Sequence, residues 1–328
     1  MTSRRIGFLL LPGFSMVTLG AAADLLNVAG GLAGPSLYTC HTVGIDNTPV
    51  RASTGMIVVP ELAIERASDF FCILVVSNIE FAEFYDERAA TWLRTQARSG
   101  SRIGSLGSGA VFTAKTGLLD GYRCTTHWRL FAEFSRRFPA VMLTRGLFAI
   151  DRDRVSCAGG TAVLDLILAL IAQDHGYELA AEAAELMLHT RIRPSTESQR
   201  MAVQWRFNLT DKRLVRAIML MEDMLEKPAS LPELANAAGM SNRQFQRRFG
   251  AELGQSPARF YLQLRLKHAQ MLLQQSTGSI LDVALECGFA DPSHFTRQYR
   301  LQFGETPGQV RRRSGPRHAV ASPFAPAA

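Results

Sequence analysis

The sequence has few cysteines, and none lies in a pattern that binds metal. They are scattered over 328 residues, and no two are spaced as CxxC. This spacing excludes a zinc ribbon and gives no disulfide framework of the kind that small secreted domains use. We expect no metal and no cofactor, and a reducing compartment, the cytoplasm, fits this cysteine usage. The five cysteines are Cys40, Cys72, Cys124, Cys157 and Cys287.

The sequence also lacks an apolar run that we expect to cross a membrane. The longest candidate, residues 161–172, is short and contains Asp165, so it is predicted to be a buried helix. Near the N-terminus, Ile6–Leu11 ends at Pro12 and has neither the length nor the small-residue cleavage site of a signal peptide. A first β-strand explains this run better, and no membrane partner is expected.

The composition is that of an ordinary folded protein, with 47% hydrophobic and 20% charged residues, and the chain is long enough for two domains.

The charge of the chain is unevenly distributed. Residues 210–328 contain 16 Lys and Arg against 10 Asp and Glu, whereas residues 1–209 contain 20 against 19. A basic C-terminal third on a nearly neutral body indicates a polyanionic partner for that third.

That basic third contains an internal repeat. The segment Ser230–Ala235 aligns with Ser279–Ala284 at an offset of 49 residues, and each segment reaches a glycine four residues after its alanine. The offset then becomes 50 and continues through Leu253–Pro257 and Phe303–Pro307. One inserted residue accounts for the change, so the sequence predicts a duplicated unit.

Each copy has the pattern of a helix, a turn and a second helix. Ser230 with Glu233 predicts a capped start for the first helix of the first copy, and Gly239 can end that helix with a positive φ. The second helix of each copy carries two aromatic residues four positions apart, which therefore share one inward face. These residues are Phe245 and Phe249 in the first copy and Phe295 and Tyr299 in the second.

The opposite faces carry side chains that can read double-stranded DNA. The first copy presents Arg243, Gln246 and Arg247, and Arg and Gln pair bidentately with guanine and adenine edges in the major groove. Residues 257–274, between the copies, are predicted to form one amphipathic helix roughly 25 Å long. Such a strut suits two recognition helices about one DNA turn, ~34 Å, apart. A repeat of packed helix pairs without a ligand would not explain arginine outside both aromatic cores.

The second copy closely resembles the signature of AraC/XylS-type transcriptional regulators. The resemblance covers about residues 212–312 and implies seven helices, with those beginning near Ser241 and Asp291 entering successive major grooves. The residues that carry it are Val283-Ala284, Cys287-Gly288-Phe289-Ala290-Asp291-Pro292-Ser293-His294-Phe295 and Gly304-Glu305-Thr306-Pro307. By position it implies DNA contacts from Arg243, Gln246, Arg247, Pro292, Ser293, Thr296 and Arg297. Pro292 has no donor, so the second copy is expected to read fewer bases.

In the first two-thirds of the chain, apolar strand-like runs alternate with helical patterns, which predicts a parallel sheet covered on both faces, a flavodoxin-like α/β sandwich. The predicted strands are Ile6–Leu11, Tyr38–Val43, Phe70–Val76, Arg102–Leu106 and Phe148–Cys157. The predicted helices are Met16–Ala29, Asp86–Arg98, Ser108–Lys115, Thr161–Asp174 and Glu178–His189. Such folds place their site at the carboxyl ends of the strands.

The segment Gly104–Ala110 forms a predicted strand, turn and helix at that edge. Its glycines do not match a GxGxxG or P-loop spacing. It has the pattern of a nucleophile elbow, in which His127 would activate Ser105 or Ser108. His127 is otherwise a packed or capping histidine, and Trp128 is either core or an aromatic face for a cationic ligand.

The surrounding residues resemble the class I glutamine amidotransferase-like, PfpI-type domain. The matching residues are Gly109-Ala110, Ala114, Gly117-Leu118-Leu119-Asp120-Gly121-Tyr122, Thr125-Thr126-His127-Trp128 and Ala158-Gly159-Gly160-Thr161-Ala162. Enzymes of that superfamily have a cysteine at the elbow, where this chain has Gly107. The expected first-loop carboxylate is also missing. The resemblance therefore implies a pocket that lost its nucleophile and senses a metabolite, with effector contacts at Phe14, Gly107, Ser108, His127 and Trp128.

These features predict a sensor domain over residues 1–189, a polar linker over 190–209 and a DNA-binding domain over 210–313. The tail 314–328 and the preceding Arg311–Arg313 cluster are expected to be disordered and to attract phosphates.

The leading hypothesis is a non-enzymatic transcriptional activator that binds an amino acid or quaternary amine, dimerises through its sensor domain and acts on RNA polymerase. The alternatives are an active PfpI-like hydrolase or amidase fused to a DNA-binding domain, and an architectural DNA binder.

Overall fold

The computed structural model describes residues 3–34, 37–275 and 278–314, and these separate into two units whose boundary in the sequence lies between Arg200 and Met201. That boundary falls inside the segment 190–209 that the sequence indicates as a linker.

The N-terminal unit alternates strands and helices. Its strands are β1 (Arg4–Leu10), β2 (Tyr38–Gly44), β3 (Val50–Arg51), β4 (Ile57–Val58), β5 (Leu62–Ala63), β6 (Cys72–Val76), β7 (Arg102–Leu106), β8 (Arg123–Cys124), β9 (Met142–Leu143), β10 (Phe148–Asp151) and β11 (Arg154–Cys157). Its α-helices are α1 (Met16–Ala33), α2 (Glu87–Arg98), α3 (Gly109–Lys115), α4 (Phe131–Arg137), α5 (Ala162–His175) and α6 (Tyr177–Leu186).

Seven strands form one mostly parallel sheet in the order β10-β11-β7-β6-β1-β2-β5, which confirms the predicted flavodoxin-like fold. The central strands are buried on both sides because side chains alternate between the two faces. On β1, Phe8 and Leu10 pack with α1, α5 and α6, whereas Leu9 packs with α2 and α3 on the other face.

The prediction of a single strand over Phe148–Cys157 was wrong. These residues form an antiparallel hairpin in which β10 pairs with β11, and β11 pairs in parallel with β7. The four consecutive charged residues from Asp151 to Arg154 explain the turn, because they would lose water inside a continuous strand. Arg152 makes the turn with a φ of 56°.

Helix α1 is long and apolar enough, by length and composition, to cross a membrane. In this fold it covers the sheet instead, and its Leu19, Leu25 and Leu26 belong to the core that α5 and α6 share. Asp24 lies on its exposed side. Helix α1 is therefore a core helix with one solvent-exposed face.

The C-terminal unit is helical. Its helices are α7 (Val203–Arg206), α8 (Lys212–Asp223), α9 (Leu231–Ala237), α10 (Asn242–Leu253), α11 (Pro257–Gln275), α12 (Ile280–Glu286), α13 (Pro292–Phe303) and α14 (Pro307–Ser314). Helix α11 has 19 residues and is about 28 Å long. The expectation of disorder from Arg311 was wrong, because residues 311–314 are on α14, whereas 315–328 lie outside the described residues.

Helix α11 contacts both helix-turn-helix units, the first formed by α9 and α10 and the second by α12 and α13. The hydroxyl of Tyr261 donates to the carbonyl oxygen of Met224 and accepts from the amide of Ala229 at 3.2 Å, which fixes the loop before α9. One turn later, Arg265 donates to the carbonyl oxygens of Cys287 and Gly288, each at 2.7 Å. The two side chains therefore anchor both helix-turn-helix units to a single helix.

Candidate nucleic-acid interface and effector site

The second helix of the first repeat, α10, begins at a capping box. The hydroxyl of Ser241 accepts from the amide of Gln244, and the Gln244 side chain accepts from the amide of Ser241. Phe245 and Phe249 are fully buried with their rings 5.4 Å apart. The aromatic core therefore fixes the rotation of α10 and leaves its opposite face in solvent.

That opposite face presents the predicted readers Arg243, Gln246 and Arg247, all exposed. Within the described residues, neither arginine side chain has a hydrogen-bond or ion-pair partner, so both can meet DNA without breaking an existing contact. Their neighbour Arg248 instead forms an ion pair with Asp211 at 3.0 Å. Hydrogen bonds from Arg213 and the Arg248 charge lower the pKa of Asp211 to about 2.

The equivalent helix of the second repeat, α13, begins at Asp291, whose carboxylate accepts from the amide of Ser293 at 2.8 Å. Phe295 and Tyr299 are buried. Pro292, Ser293 and Arg297 are exposed, and Thr296 is half-buried on the same side. The structure thus brings the predicted second set together on one helix face.

Gly288, between α12 and α13, packs against the loop between α8 and α9. It has a φ of +73°, and a Cβ built on it would lie 2.7 Å from the carbonyl oxygen of Leu225 and 2.6 Å from the Pro228 ring. Only glycine fits this turn without displacing backbone. The close approach and the Arg265 hydrogen bonds together set the position of α13.

In the N-terminal unit, the candidate elbow joins β7 to α3 at Gly107. This residue has a φ of +63°, the left-handed conformation of a tight strand-to-helix turn, and its amide donates to the carbonyl oxygen of Cys157 at 2.9 Å. A Cβ built on Gly107 would lie 3.6 Å from Gly159 Cα and from the carbonyl oxygen of Ser77. The elbow backbone is thus present, and the side chain that would carry a nucleophile is absent.

The two serines beside the elbow are both buried and are not arranged as nucleophiles. Ser105 donates to the hydroxyl of Thr113 at 2.9 Å, and Thr113 donates to the carbonyl oxygen of Gly109. The Ser108 hydroxyl has no hydrogen-bond partner among the described residues, so no base contacts it. Burial raises the pKa of the fully buried Cys124 thiol to about 12, so it is not a thiolate near neutral pH.

His127 is half-buried and begins a short 3₁₀ turn, where its Nδ1 accepts from the amide of Arg129 at 3.2 Å. Burial, together with the Arg129 charge, lowers the pKa of His127 to about 4. A base with this pKa is weak near neutral pH. The ring lies 5.5 Å from the Trp128 ring, so the histidine caps the turn and packs on the tryptophan.

Trp128 is half-buried and already has cations on its ring. The guanidinium carbon of Arg200 lies 4.8 Å from the ring centroid, and that of Arg129 lies 5.5 Å away. Phe14, by contrast, is fully buried in the core with α1. The predicted effector residues therefore separate into a partly exposed pair, His127 and Trp128, and a buried group, Phe14, Gly107 and Ser108.

A segment that the sequence indicated only as linker packs on the same loops; we call residues 193–200 the strap. Arg193 donates to the buried carboxylate of Asp165 at 2.6 Å and to the Thr161 hydroxyl at 3.2 Å. Gln199 accepts from the amide of Trp128 at 2.7 Å and donates to the carbonyl oxygen of Thr126 at 2.9 Å. Thr126 in turn donates to the carbonyl oxygen of Gly107 at 3.1 Å, so the strap reaches the elbow through one residue.

Known proteins show the same combination of units. The sequence matches the DJ-1/PfpI family over residues 4–173 and the helix-turn-helix domain over residues 234–313. The transcriptional regulator GbdR of Pseudomonas aeruginosa is 39% identical over 306 residues, which cover 93% of this chain and 83% of the relative. CdhR of the same organism is 40% identical over 309 residues, 94% of this chain and 92% of the relative.

A solved structure agrees with these matches. The crystal structure of an AraC family transcriptional regulator from Pseudomonas putida is 29% identical with a TM-score of 0.53, over 56% of this chain and 99% of its own. The fold and the helix-turn-helix pair define a DNA-binding transcriptional regulator. The chain belongs to the AraC-type helix-turn-helix regulators that carry a DJ-1/PfpI domain.

Proposed function

We propose that this regulator activates transcription when its N-terminal unit binds a small nitrogenous metabolite, an amino acid or a quaternary amine. The observation that carries the sensing role is Gly107: the family's elbow is kept as backbone while its nucleophile is absent. An elbow without a nucleophile can still bind a ligand but cannot form a covalent intermediate. Cytoplasmic location, a homodimer and contact with RNA polymerase complete this proposal.

The half-buried ring of Trp128 offers the face best suited to such a ligand. It holds the guanidinium of Arg200 at 4.8 Å, and an aromatic face that holds one cation suits a quaternary ammonium group equally. A ligand on this face would compete with Arg200, the last residue of the N-terminal unit. We assign the effector contact to His127 and Trp128, and we place Gly107 and Ser108 in the same site because Thr126, next to His127, is hydrogen-bonded to the carbonyl oxygen of Gly107.

A thermal-shift screen of amino acids and quaternary amines on the full chain tests the sensing role. The expected result is a raised Tm with one ligand, reduced in Trp128→Ala and kept in Trp205→Ala, an exposed tryptophan of the other unit. The same ligand should increase transcription in a reaction reconstituted with RNA polymerase. No stabilising ligand, or stabilisation that survives Trp128→Ala, contradicts this site.

The second candidate function is a PfpI-like amidase. The observation in its favour is the buried hydroxyl of Ser108, which has no hydrogen-bond partner among the described residues. Amidase turnover should be undetectable in the full chain and equally undetectable in Ser105→Ala, Ser108→Ala and His127→Ala. Turnover that these substitutions abolish would replace the sensor with an enzyme.

We also propose that α10 and α13 read DNA through Arg243, Gln246 and Arg247, and through Ser293, Thr296 and Arg297 with Pro292 at the helix start. Both faces are opposite a buried aromatic pair, and the arginines of both are exposed. Arginine contacts to guanine give discrimination of about 1–3 kcal/mol each.

A further inference from the structure

A cavity of about 640 Å³ lies in the N-terminal unit, beneath the strap. Its walls come from the edge strand β10, from the loop at residues 144–146 and from Ser195 and Ser198 of the strap. The strap is held close on this side, because the amide of Leu147 donates to the carbonyl oxygen of Ser195 at 2.8 Å. A Cβ on Gly146 would meet that same oxygen at 2.0 Å, so glycine is required there.

The cavity is positively charged. Arg123 and Arg145 line it, and its lining contains no acidic residue. Arg145 is exposed and its guanidinium has no hydrogen-bond or ion-pair partner in the part of the chain that the structure describes. The nearby Asp151 is engaged by the backbone amide of Arg123 at 2.8 Å and by Arg152 at 3.2 Å. The Arg145 guanidinium is therefore available to an anion.

The remaining lining sets the size and polarity of that anion. Phe148, Ala149 and Ile150 of β10 line the cavity on one side as apolar residues, and Ser195, Thr196 and Ser198 of the strap line it as hydroxyl-bearing residues. A pocket of this volume with an apolar wall and a planar guanidinium fits a small organic carboxylate with an apolar body. A bare inorganic anion would leave the apolar wall without a partner.

We propose that this strap cavity is a ligand site for a small organic carboxylate, with Arg145 binding the carboxylate and Phe148 and Ile150 contacting its apolar body. The site is separate from the Trp128 face, although Gln199 is part of the same strap. The binding site itself does not depend on the proposed sensing function, but its regulatory role does. Met201, the first residue of the DNA-binding unit, follows the strap directly in the sequence, so a ligand in the cavity contacts the segment that leads to that unit.

The test uses 3-phenylpropionate as the probe, with 3-phenylpropionamide as its uncharged counterpart, and measures Kd by ligand-observed NMR on the full chain. The acid should bind and the amide should bind about tenfold more weakly or not at all. Arg145→Ala should weaken binding of the acid by about tenfold. Arg98→Ala should leave Kd unchanged, because Arg98 is exposed on α2 and has no partner in the described part of the chain. Arg145→Lys should retain part of the affinity, which excludes a loss caused by misfolding.

Equal binding of acid and amide, or an unchanged Kd in Arg145→Ala, would overturn the proposal. Inorganic phosphate that competes with the acid at equal concentration would reassign the site to phosphates. A loss of affinity for DNA in ligand-free Arg145→Ala would reassign the arginine to DNA. Failure of this proposal and failure of the proposed sensing function can be told apart. The thermal shift in the effector screen depends on Trp128, whereas binding of 3-phenylpropionate depends on Arg145.

Discussion

The side-chain amide of Gln199 donates a hydrogen bond to the main-chain carbonyl oxygen of Thr126, 2.9 Å away, although 73 residues separate the two in the sequence. Gln199 lies two residues before the C-terminal unit begins, and Thr126 is bonded to the elbow at Gly107. One side chain therefore ties the last residues of the N-terminal unit to the loop that is bonded to the candidate elbow.

Replacing Gln199 by alanine should loosen the strap. The substitution removes the acceptor of the Trp128 amide and the donor to Thr126 and Gly146, so the N-terminal unit should lose about 1–3 kcal/mol of unfolding free energy. Hydrogen exchange should become faster at the amides of Trp128 and Leu147. Gln204→Ala is the control, since Gln204 is exposed and lies in the other unit. Equal exchange at Trp128 in both variants would show that Gln199 does not hold this loop.

The stability of the N-terminal unit should depend on His127 between about pH 6.5 and pH 4. The pKa of His127 is about 4 in the folded chain and 6.5 without burial, so the unfolded chain binds the extra proton in this window. The His127 contribution is therefore complete above pH 6.5 and is lost as the pH falls toward 4.

The matched variant is His127→Asn, which keeps an acceptor for the Arg129 amide but does not titrate. Denaturant unfolding at several pH values should give a shallower loss of stability in the variant across this window. Identical slopes would mean that His127 titrates as it does in the unfolded chain.

Arg265 should be required to hold the second helix-turn-helix unit. Arg265→Ala leaves the carbonyl oxygens of Cys287 and Gly288 without their donor and removes the guanidinium 4.1 Å from the Phe289 ring. The expected cost is about 2–3 kcal/mol of unfolding free energy, because the donor is charged. Lys267→Ala, exposed on the same helix, should cost less than about 0.5 kcal/mol. Thermal unfolding of both variants measures the difference.

The C-terminal unit could be predicted in detail because its determinants are local. Ser230 with Glu233 forms the capping box that its spacing indicated, and Phe245 with Phe249 is buried as predicted. Such signals act within one helical turn, so the sequence alone contains them. The base-reading roles of the exposed residues on α10 and α13 stay predictions.

The N-terminal unit was less predictable because its site depends on contacts between distant segments. The contact of Gln199 with Thr126 joins residues 73 apart in the sequence, so it does not follow from periodicity. The polar run Asp151–Arg154 was the available signal for the hairpin. No local pattern indicated that the strap packs on the N-terminal unit. Burial of Phe14 in the core likewise depends on how α1 packs.

The central claim, that α10 and α13 read base sequence, is tested most directly by binding to two DNAs. A preferred duplex is first selected from a random library, and Kd is then measured for it and for a random duplex at one salt concentration. Arg312→Ala serves as the control for general phosphate attraction, because Arg312 is exposed on α14 and has no partner among the described residues.

We predict that Arg247→Ala and Arg297→Ala each cost about 1–3 kcal/mol on the selected duplex and much less on random DNA, while Arg312→Ala weakens both DNAs alike. Equal losses on both DNAs for Arg247→Ala and Arg297→Ala would contradict base reading by these helices.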